Sequence, residues 1–224
     1  MFWDIVSPLY DLFENIYNHN VYVGTGLMVE REIDYGDNVL ECACGTGAIS
    51  VYITKKSGHL VATDYSKGML KQTAWKLRHE HNAIVRKADM TNLKCKDNRF
   101  DKVVAGNVIH LLDNPKAAVG ELYRVCKFGG KIIIPTYINI YKGKTNFVIN
   151  LLDKFGAKFK RQFDLQSYMK FFEDAGYTDV KYHVIKGNID YMKSAGGSKA
   201  LDPEKCRHVD DHINGHRKQC DYYI

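Results

Sequence analysis

Residues 38–47 read Asn-Val-Leu-Glu-Cys-Ala-Cys-Gly-Thr-Gly. The run opens on apolar, partly β-branched side chains and closes on glycines at 45 and 47, and the stretch 47–57 that follows is apolar at helical spacing. A strand, a tight turn and a helix are predicted. Glycine at 45 and 47 lets the main chain pass close to a ligand and present amides at a helix start, which favours a polar or anionic group. Alone, a Gly-x-Gly turn specifies little.

Working outward, short apolar runs recur at 59–64 (HLVATD), 83–89 (AIVRKAD), 102–107 (KVVAGN) and 130–138 (GKIIIPTYI). They read as strands. The intervening segments 67–80 and 114–126 carry helical periodicity, with Met69, Leu70, Ala74 and Leu77 on one side of the first. Strand and helix alternate five times, which predicts a doubly wound α/β fold: a mostly parallel, Rossmann-like sheet with helices on both faces. Two more amphipathic stretches, 145–159 and 166–176, precede a sixth strand at 179–186, and Gly176 is placed to end the second.

Ligands bind at the carboxyl ends of the strands in such sheets. The second strand ends there in Asp64, positioned to accept both hydroxyls of a ribose. The third ends in Asp89-Met90, where a carboxylate or the adjoining backbone can take the exocyclic amine of adenine. Acids at successive strand ends beside a glycine turn form a nucleotide-binding constellation. The plainer roles are helix capping for Asp64 and a turn for Asp89.

On these residues the chain resembles the class I S-adenosylmethionine-dependent methyltransferases, particularly the ubiquinone/menaquinone-biosynthesis-like small-molecule branch. The likeness spans roughly 8–187 and rests on VLECACGTG, VATDYSKGML, KADMTNL, FDKVVAGNVIHLLDNP and ELYRVCKFGGKIIIPTY. It implies S-adenosyl-L-methionine as cofactor. Glu41 would meet the methionine amino group, and Ala43, Cys44, Gly45, Thr46 and Gly47 would pass under the cofactor. Asp64 would hold the ribose, Tyr65 and Met69 would flank the adenine, Asp89 and Met90 would meet its edge, and Asn107 would touch the methionine moiety. Ala43 stands where the family has its first loop glycine, a replacement expected to be tolerated because it adds one methyl group.

The implied reaction is transfer of a methyl group to a small-molecule acceptor by in-line displacement, releasing S-adenosylhomocysteine. A sulfonium is already an activated leaving group, so a base is needed only if the acceptor must lose a proton. His110 is the candidate base, with a structural hydrogen bond as its plainer role; Tyr10 resembles an N-terminal tyrosine that reaches over the cofactor in relatives. The alternative is a non-catalytic cofactor-binding sensor or partner-binding module that uses the C-terminal tail. A nicotinamide oxidoreductase is disfavoured, because the loop lacks the Gly-x-Gly-x-x-Gly pattern.

The chain has 224 residues, 45% hydrophobic and 26% charged, an ordinary globular balance with mass for one sizeable core. Its start, MFWDIVSPLYDLFEN, matches neither a signal peptide nor a membrane span, so a soluble cytoplasmic protein is expected. A formal charge of +6 is spread without a dense basic block, and Gly106-Asn107-Val108-Ile109 replaces the Asp/Asn-Pro-Pro-aromatic motif of amino-methylases of nucleic-acid bases. Both argue against nucleic acid as substrate. Aromatics in the insertion 137–170, from Tyr137 to Phe163, suit either the covering of a small acceptor or packing on the sheet.

Three parts are expected: a helical lid at 1–30, the methyltransferase domain at 31–190, and an atypical polar tail at 191–224. No seventh strand is legible in the tail, where the resemblance would have an apolar antiparallel one. It carries Cys206, His208, His212, His216 and Cys220 instead. The last four fall at spacings of four, a helical face suited to a transition metal, although Gly215 weakens the helix and a solvated tail is the preferred reading. No resident metal is expected, and oligomeric state is open.

Overall fold

The computed structural model describes residues 2–136, 138, 160–177, 179–183 and 219–223; the side chains of 2, 9–22 and 219–223 stand outside that description. Seven strands are described: β1 (Asn38–Cys42), β2 (His59–Asp64), β3 (Ala83–Lys87), β4 (Phe100–Ala105), β5 (Cys126–Ile133), β6 (Val180–His183) and β7 (Gln219–Tyr223). They form one sheet in the order β3-β2-β1-β4-β5-β7-β6, with every described pairing parallel. The helices are α1 (Phe2–Glu32), α2 (Ser50–Ile53), α3 (Lys67–Lys76), a 3-10 turn at Ile109–Leu111, α4 (Pro115–Val125) and α5 (Leu165–Glu173).

Period-two alternation along the central strands divides the core between the two faces of the sheet. Val39, Val104 and Ile133 point to one face, where they meet Val29 and Ile33 of α1 and Ile53 of α2. Their chain neighbours Leu40, Val103 and Ile132 point to the other, under Leu122 and Val125 of α4 and Tyr168 and Phe172 of α5. All of these are fully buried, each worth roughly 1.5–3 kcal/mol relative to exposure. Strands apolar on both faces belong to a parallel sheet covered on both sides, so the doubly wound α/β class stands.

Local chemistry sets where the helices begin. Ser66 accepts from the Met69 amide at the start of α3, and Asn114 accepts from the Ala117 amide ahead of Pro115 at the start of α4. Asp164 and Ser167 form a reciprocal capping box at α5. Past α5, Gly176 takes a left-handed φ of +84°.

Several boundaries differ from those expected. Only Ser50–Ile53 of the stretch 47–57 is α-helical; turns fill the rest. β5 begins at Cys126 rather than at 130, running through Gly129 at φ +73° with a register shift against β4. A strand does occur in the tail: β7, inserted between β5 and β6 and parallel to both, where an antiparallel strand or none was expected. Cys220 lies in this extended segment, not on a helical face with His208, His212 and His216, which with Cys206 fall outside the described residues. The expected helix at 145–159 also falls outside them. Among the described residues no helix is long and apolar enough to cross a membrane.

Candidate cofactor site

The carboxyl ends of β1, β2, β3 and β4 open on one cavity of about 530 Å³. Glu41, Ala43, Cys44, Gly45, Thr46, Asp64, Tyr65, Met69, Asp89, Met90 and Asn107 all line it. The topology explains the convergence. β1 lies between β2 and β4, and the chain turns off the sheet after each strand on the same edge.

Main-chain amides fasten the loop after β1. The Cys44 amide donates to the Thr63 carbonyl at 2.9 Å, and the Gly45 amide donates to Asp64 Oδ2 at 2.9 Å. Asp64 Oδ1 also accepts from the Ser66 amide at 2.8 Å, so one carboxylate ties the glycine turn to the start of α3. Burial pushes this carboxyl above its usual range, against the amides of Ser66, Gly45 and Tyr65, which pull it down.

Gly45 sits at φ +56°, and a Cβ built there would meet nothing within 4 Å, so the turn leaves open space on the cavity side. Gly47 behaves differently. It is not among the lining residues; at φ +83° it packs on α3, where a Cβ would stand 3.2 Å from the Thr73 Cα. Close helix packing, rather than ligand approach, requires this second glycine. Ala43 also adopts a left-handed φ of +53°, so the replacement of a loop glycine introduces backbone strain as well as a methyl group.

Glu41 is almost completely buried and accepts from Ser50 Oγ at 2.5 Å. Burial raises its carboxyl from the ordinary 4.5 to about 8, with Ser50 opposing and the Asp64 charge adding to the rise. A buried carboxyl in a cavity wall suits a ligand that brings a cation to it. Asp89, by contrast, is largely exposed; Thr91 donates to its Oδ1 through Oγ1 at 2.7 Å and through the amide at 2.9 Å, holding its carboxyl below the usual range. Tyr65 is half-exposed at the rim, with Lys87 Nζ 4.7 Å from its ring centre.

Apolar side chains complete the lining: Ile49, Val108, Leu111 and Leu112, followed by Asp113 and the α4 cap Asn114. Asn107 enters this lining at φ +51°, its amide donating to the Pro135 carbonyl at 2.8 Å. His110, on the 3-10 turn, is buried but not among the lining residues; its Nδ1 lies 3.2 Å from Thr136 Oγ1. Burial lowers its imidazole to about 4, so the ring is uncharged at neutral pH. Arg161 fastens the same turn, its amide donating to the His110 carbonyl at 3.1 Å and Nη1 to the Leu112 carbonyl at 2.8 Å. The side chain of Tyr10 lies outside the described residues, although its backbone is part of α1.

Two further lining residues, Trp3 and Thr25, come from α1. Trp3 had a sequence signal, as one aromatic in an aromatic-rich N-terminal segment, whereas Thr25 had none. The apolar wall was hidden as well, because Leu111 and Leu112 follow a strand in a run that periodicity assigns to no face.

Residues 40–134 match the family model of the methyltransferase domain. A demethylmenaquinone methyltransferase of Staphylococcus saprophyticus is 27% identical over 211 residues, spanning 84% of this chain and 91% of that one. That of Paenarthrobacter aurescens is 28% identical over 211 residues, with 84% and 81% covered. Among solved structures, a SAM-dependent methyltransferase of Thermotoga maritima shares the fold with a TM-score of 0.56 at 22% identity, covering 78% of this chain and 80% of that one. Phosphoethanolamine N-methyltransferase 2 of Haemonchus contortus, solved in complex with S-adenosyl-L-methionine, gives 0.57 at 18% identity, covering 68% of this chain and 36% of that one. With the matched stretch running from β1 to β5 and the strand ends converging on one cavity, the chain carries a methyltransferase domain and is similar to S-adenosylmethionine-dependent methyltransferases of the menaquinone-biosynthesis-like branch.

Proposed function

We propose that the protein places the methyl group of S-adenosylmethionine on a small, largely apolar acceptor by in-line displacement, releasing S-adenosylhomocysteine. The observation that carries this reading is the mixed lining of the cavity: the buried Glu41 and half-buried Asp64 at the ends of β1 and β2 share it with Ile49, Val108, Leu111 and Leu112. The cofactor supplies a methyl group on a sulfonium that is already activated as a leaving group. What this chain contributes is orientation and exclusion of water.

Each lining residue has a role suited to its chemistry. Glu41 takes the amino group of the methionine moiety, which gives its buried carboxylate a counter-charge. Asp64 takes the ribose hydroxyls while its amide partners hold it still. Asp89 and Met90 meet the adenine edge, Met69 and Tyr65 flank its faces, and Asn107 offers backbone to the methionine moiety. Gly45 and Thr46 leave room beneath. His110 holds the 3-10 turn against the end of β5 and transfers no proton; its ring meets Thr136. α1 covers the cavity on one side, through Trp3 and Thr25.

Demethylmenaquinone, the substrate in the relatives' name, is the first acceptor to test; the apolar wall suits it better than a nucleic-acid base. Purified protein is incubated with methyl-labelled cofactor and a panel of demethylated quinols, phenols, amines and thiols. Label in an extracted apolar product supports the proposal. Cofactor binding without label in any acceptor would overturn it.

A further inference from the structure

The first turn of α1 is fitted to the turn that carries the ribose-side acid. Asp4 Oδ1 accepts from Ser66 Oγ at 2.7 Å and from the Gly68 amide at 2.8 Å. Ser66 gives its own amide to Asp64 Oδ1 at 2.8 Å, and Asp64 Oδ2 takes the Gly45 amide. A continuous chain of hydrogen bonds thus runs from α1 through the β2–α3 turn to the glycine loop. Gly68 makes the approach feasible: a Cβ there would stand 2.7 Å from the Asp4 Cα and 2.8 Å from the Asp4 carbonyl oxygen, both backbone atoms. Next to Asp4, Trp3 lines the cavity. The Gly68 amide and the Ser66 hydroxyl hold the Asp4 carboxyl down at about 2, so it is ionised throughout the ordinary pH range.

We propose that Asp4 is a positioning residue of the cofactor site: it docks α1 on the Ser66–Gly68 turn so that Trp3 completes the cavity wall and bound cofactor tightens the docking. This rests on the reading of the cavity as the S-adenosylmethionine site. The coupling is reciprocal, since a ligand that gains from the docked helix must also stabilise it. Asp4 touches no reacting atom, so its loss should raise the KM for cofactor and leave kcat at saturating cofactor unchanged.

The chain has two tryptophans, and Trp75 is exposed on α3, so Trp75→Phe leaves Trp3 as the single indole reporter. In that background, Asp4→Ala and, independently, Gly68→Ala shift Trp3 emission to the red without ligand, as α1 leaves the turn. Calorimetry then shows S-adenosylhomocysteine binding weakened about tenfold in Asp4→Ala, the loss of one charge-assisted contact set. Asp4→Asn, which keeps an acceptor oxygen, recovers most of it. Unchanged Trp3 emission in both ligand-free variants overturns the docking. Equal affinity of Asp4→Ala and wild type overturns the coupling while leaving the cofactor reading intact. Absence of binding to the wild type itself, with the emission shifts present, instead brings down the cofactor reading on which the coupling depends.

Discussion

At the ends of β1 and β2 the cavity wall is polar and stapled: the Asp64 carboxylate holds two loop amides, and Glu41 lies buried under Ser50. After the end of β4 the lining includes Val108, Leu111 and Leu112, and the turn that carries them is fastened by His110 on Thr136 and by Arg161 on two carbonyls. The first side presents carboxylates to the cavity, whereas the second presents Val108, Leu111 and Leu112 beside Asn107, Asp113 and Asn114. Under the proposed function, the charged cofactor is oriented from one set of strand ends and the apolar acceptor met from another, so substitutions on the two walls should fail in different ways.

The largest separation is expected at Asp64. Asp64→Ala removes the proposed ribose acceptor and releases the Gly45 and Ser66 amides together. Affinity for S-adenosylhomocysteine, read by calorimetry, should fall about a hundredfold or more, since hydrogen bonds to a charged group are worth roughly 1.5–3 kcal/mol each. An affinity within a few-fold of wild type would dissolve the distinction between the walls.

Glu41 sharpens the contrast through pH. Its carboxyl is raised from 4.5 to about 8, so the folded ligand-free protein holds this proton more tightly than the unfolded chain does. The resulting stability is complete below about pH 4.5 and is lost as pH rises through about 8. Glu41→Gln should flatten that slope and stabilise the ligand-free protein at pH 8 by an amount on the order of a few kcal/mol, read by denaturant titration. In the wild type, S-adenosylhomocysteine should bind more tightly as pH rises from about 6 to about 8, close to tenfold per pH unit, because its ammonium selects the ionised carboxylate. A flat affinity profile in the wild type would separate Glu41 from the ligand.

These two residues were legible before the structure because strand endings are local events. The runs NVLEC and HLVATD carry their own β-branched signal, and an acid at a strand's carboxyl end must fall on the ligand edge of a parallel sheet. β7 left no such signal. Gln-Cys-Asp-Tyr-Tyr has little apolar character, and its place between β5 and β6 is fixed by main-chain ladders on both sides, which side-chain patterns do not report. Gly47 was expected under the cofactor and packs on α3: spacing marks a glycine as necessary but does not reveal that its close neighbour is Thr73. The Asp4–Gly68 contact joins segments 64 positions apart, and nothing local announces it.

On the apolar wall, His110→Ala should act on stability before chemistry. It opens a buried, hydrogen-bonded site, with an expected cost of about 2–3 kcal/mol and a fall in Tm of roughly 5–10 °C by calorimetry. Turnover below that temperature should stay within about tenfold of wild type, the lower bound for losing a general base being about a hundredfold. A larger loss of kcat with an unchanged Tm would move His110 from holding the wall to proton transfer.

The smallest effect tests how each wall bends its backbone. Ala43 on the polar side and Asn107 on the apolar side both hold left-handed φ values, 53° and 51°. Asparagine tolerates that region, because its short polar side chain can bond locally, whereas alanine meets the Cβ clash at a cost of roughly 1–2 kcal/mol. Ala43→Gly removes the clash but adds freedom to the unfolded chain, leaving a net gain of about 1 kcal/mol, or about 2–4 °C in Tm. Asn107→Gly, made beside it, should gain nothing by the same measure. If the two behave alike, the strain does not lie in Ala43, and the loop has relaxed around its missing glycine by moving the turn. Cofactor affinity should reveal that movement, because the Gly45 amide would then sit away from Asp64.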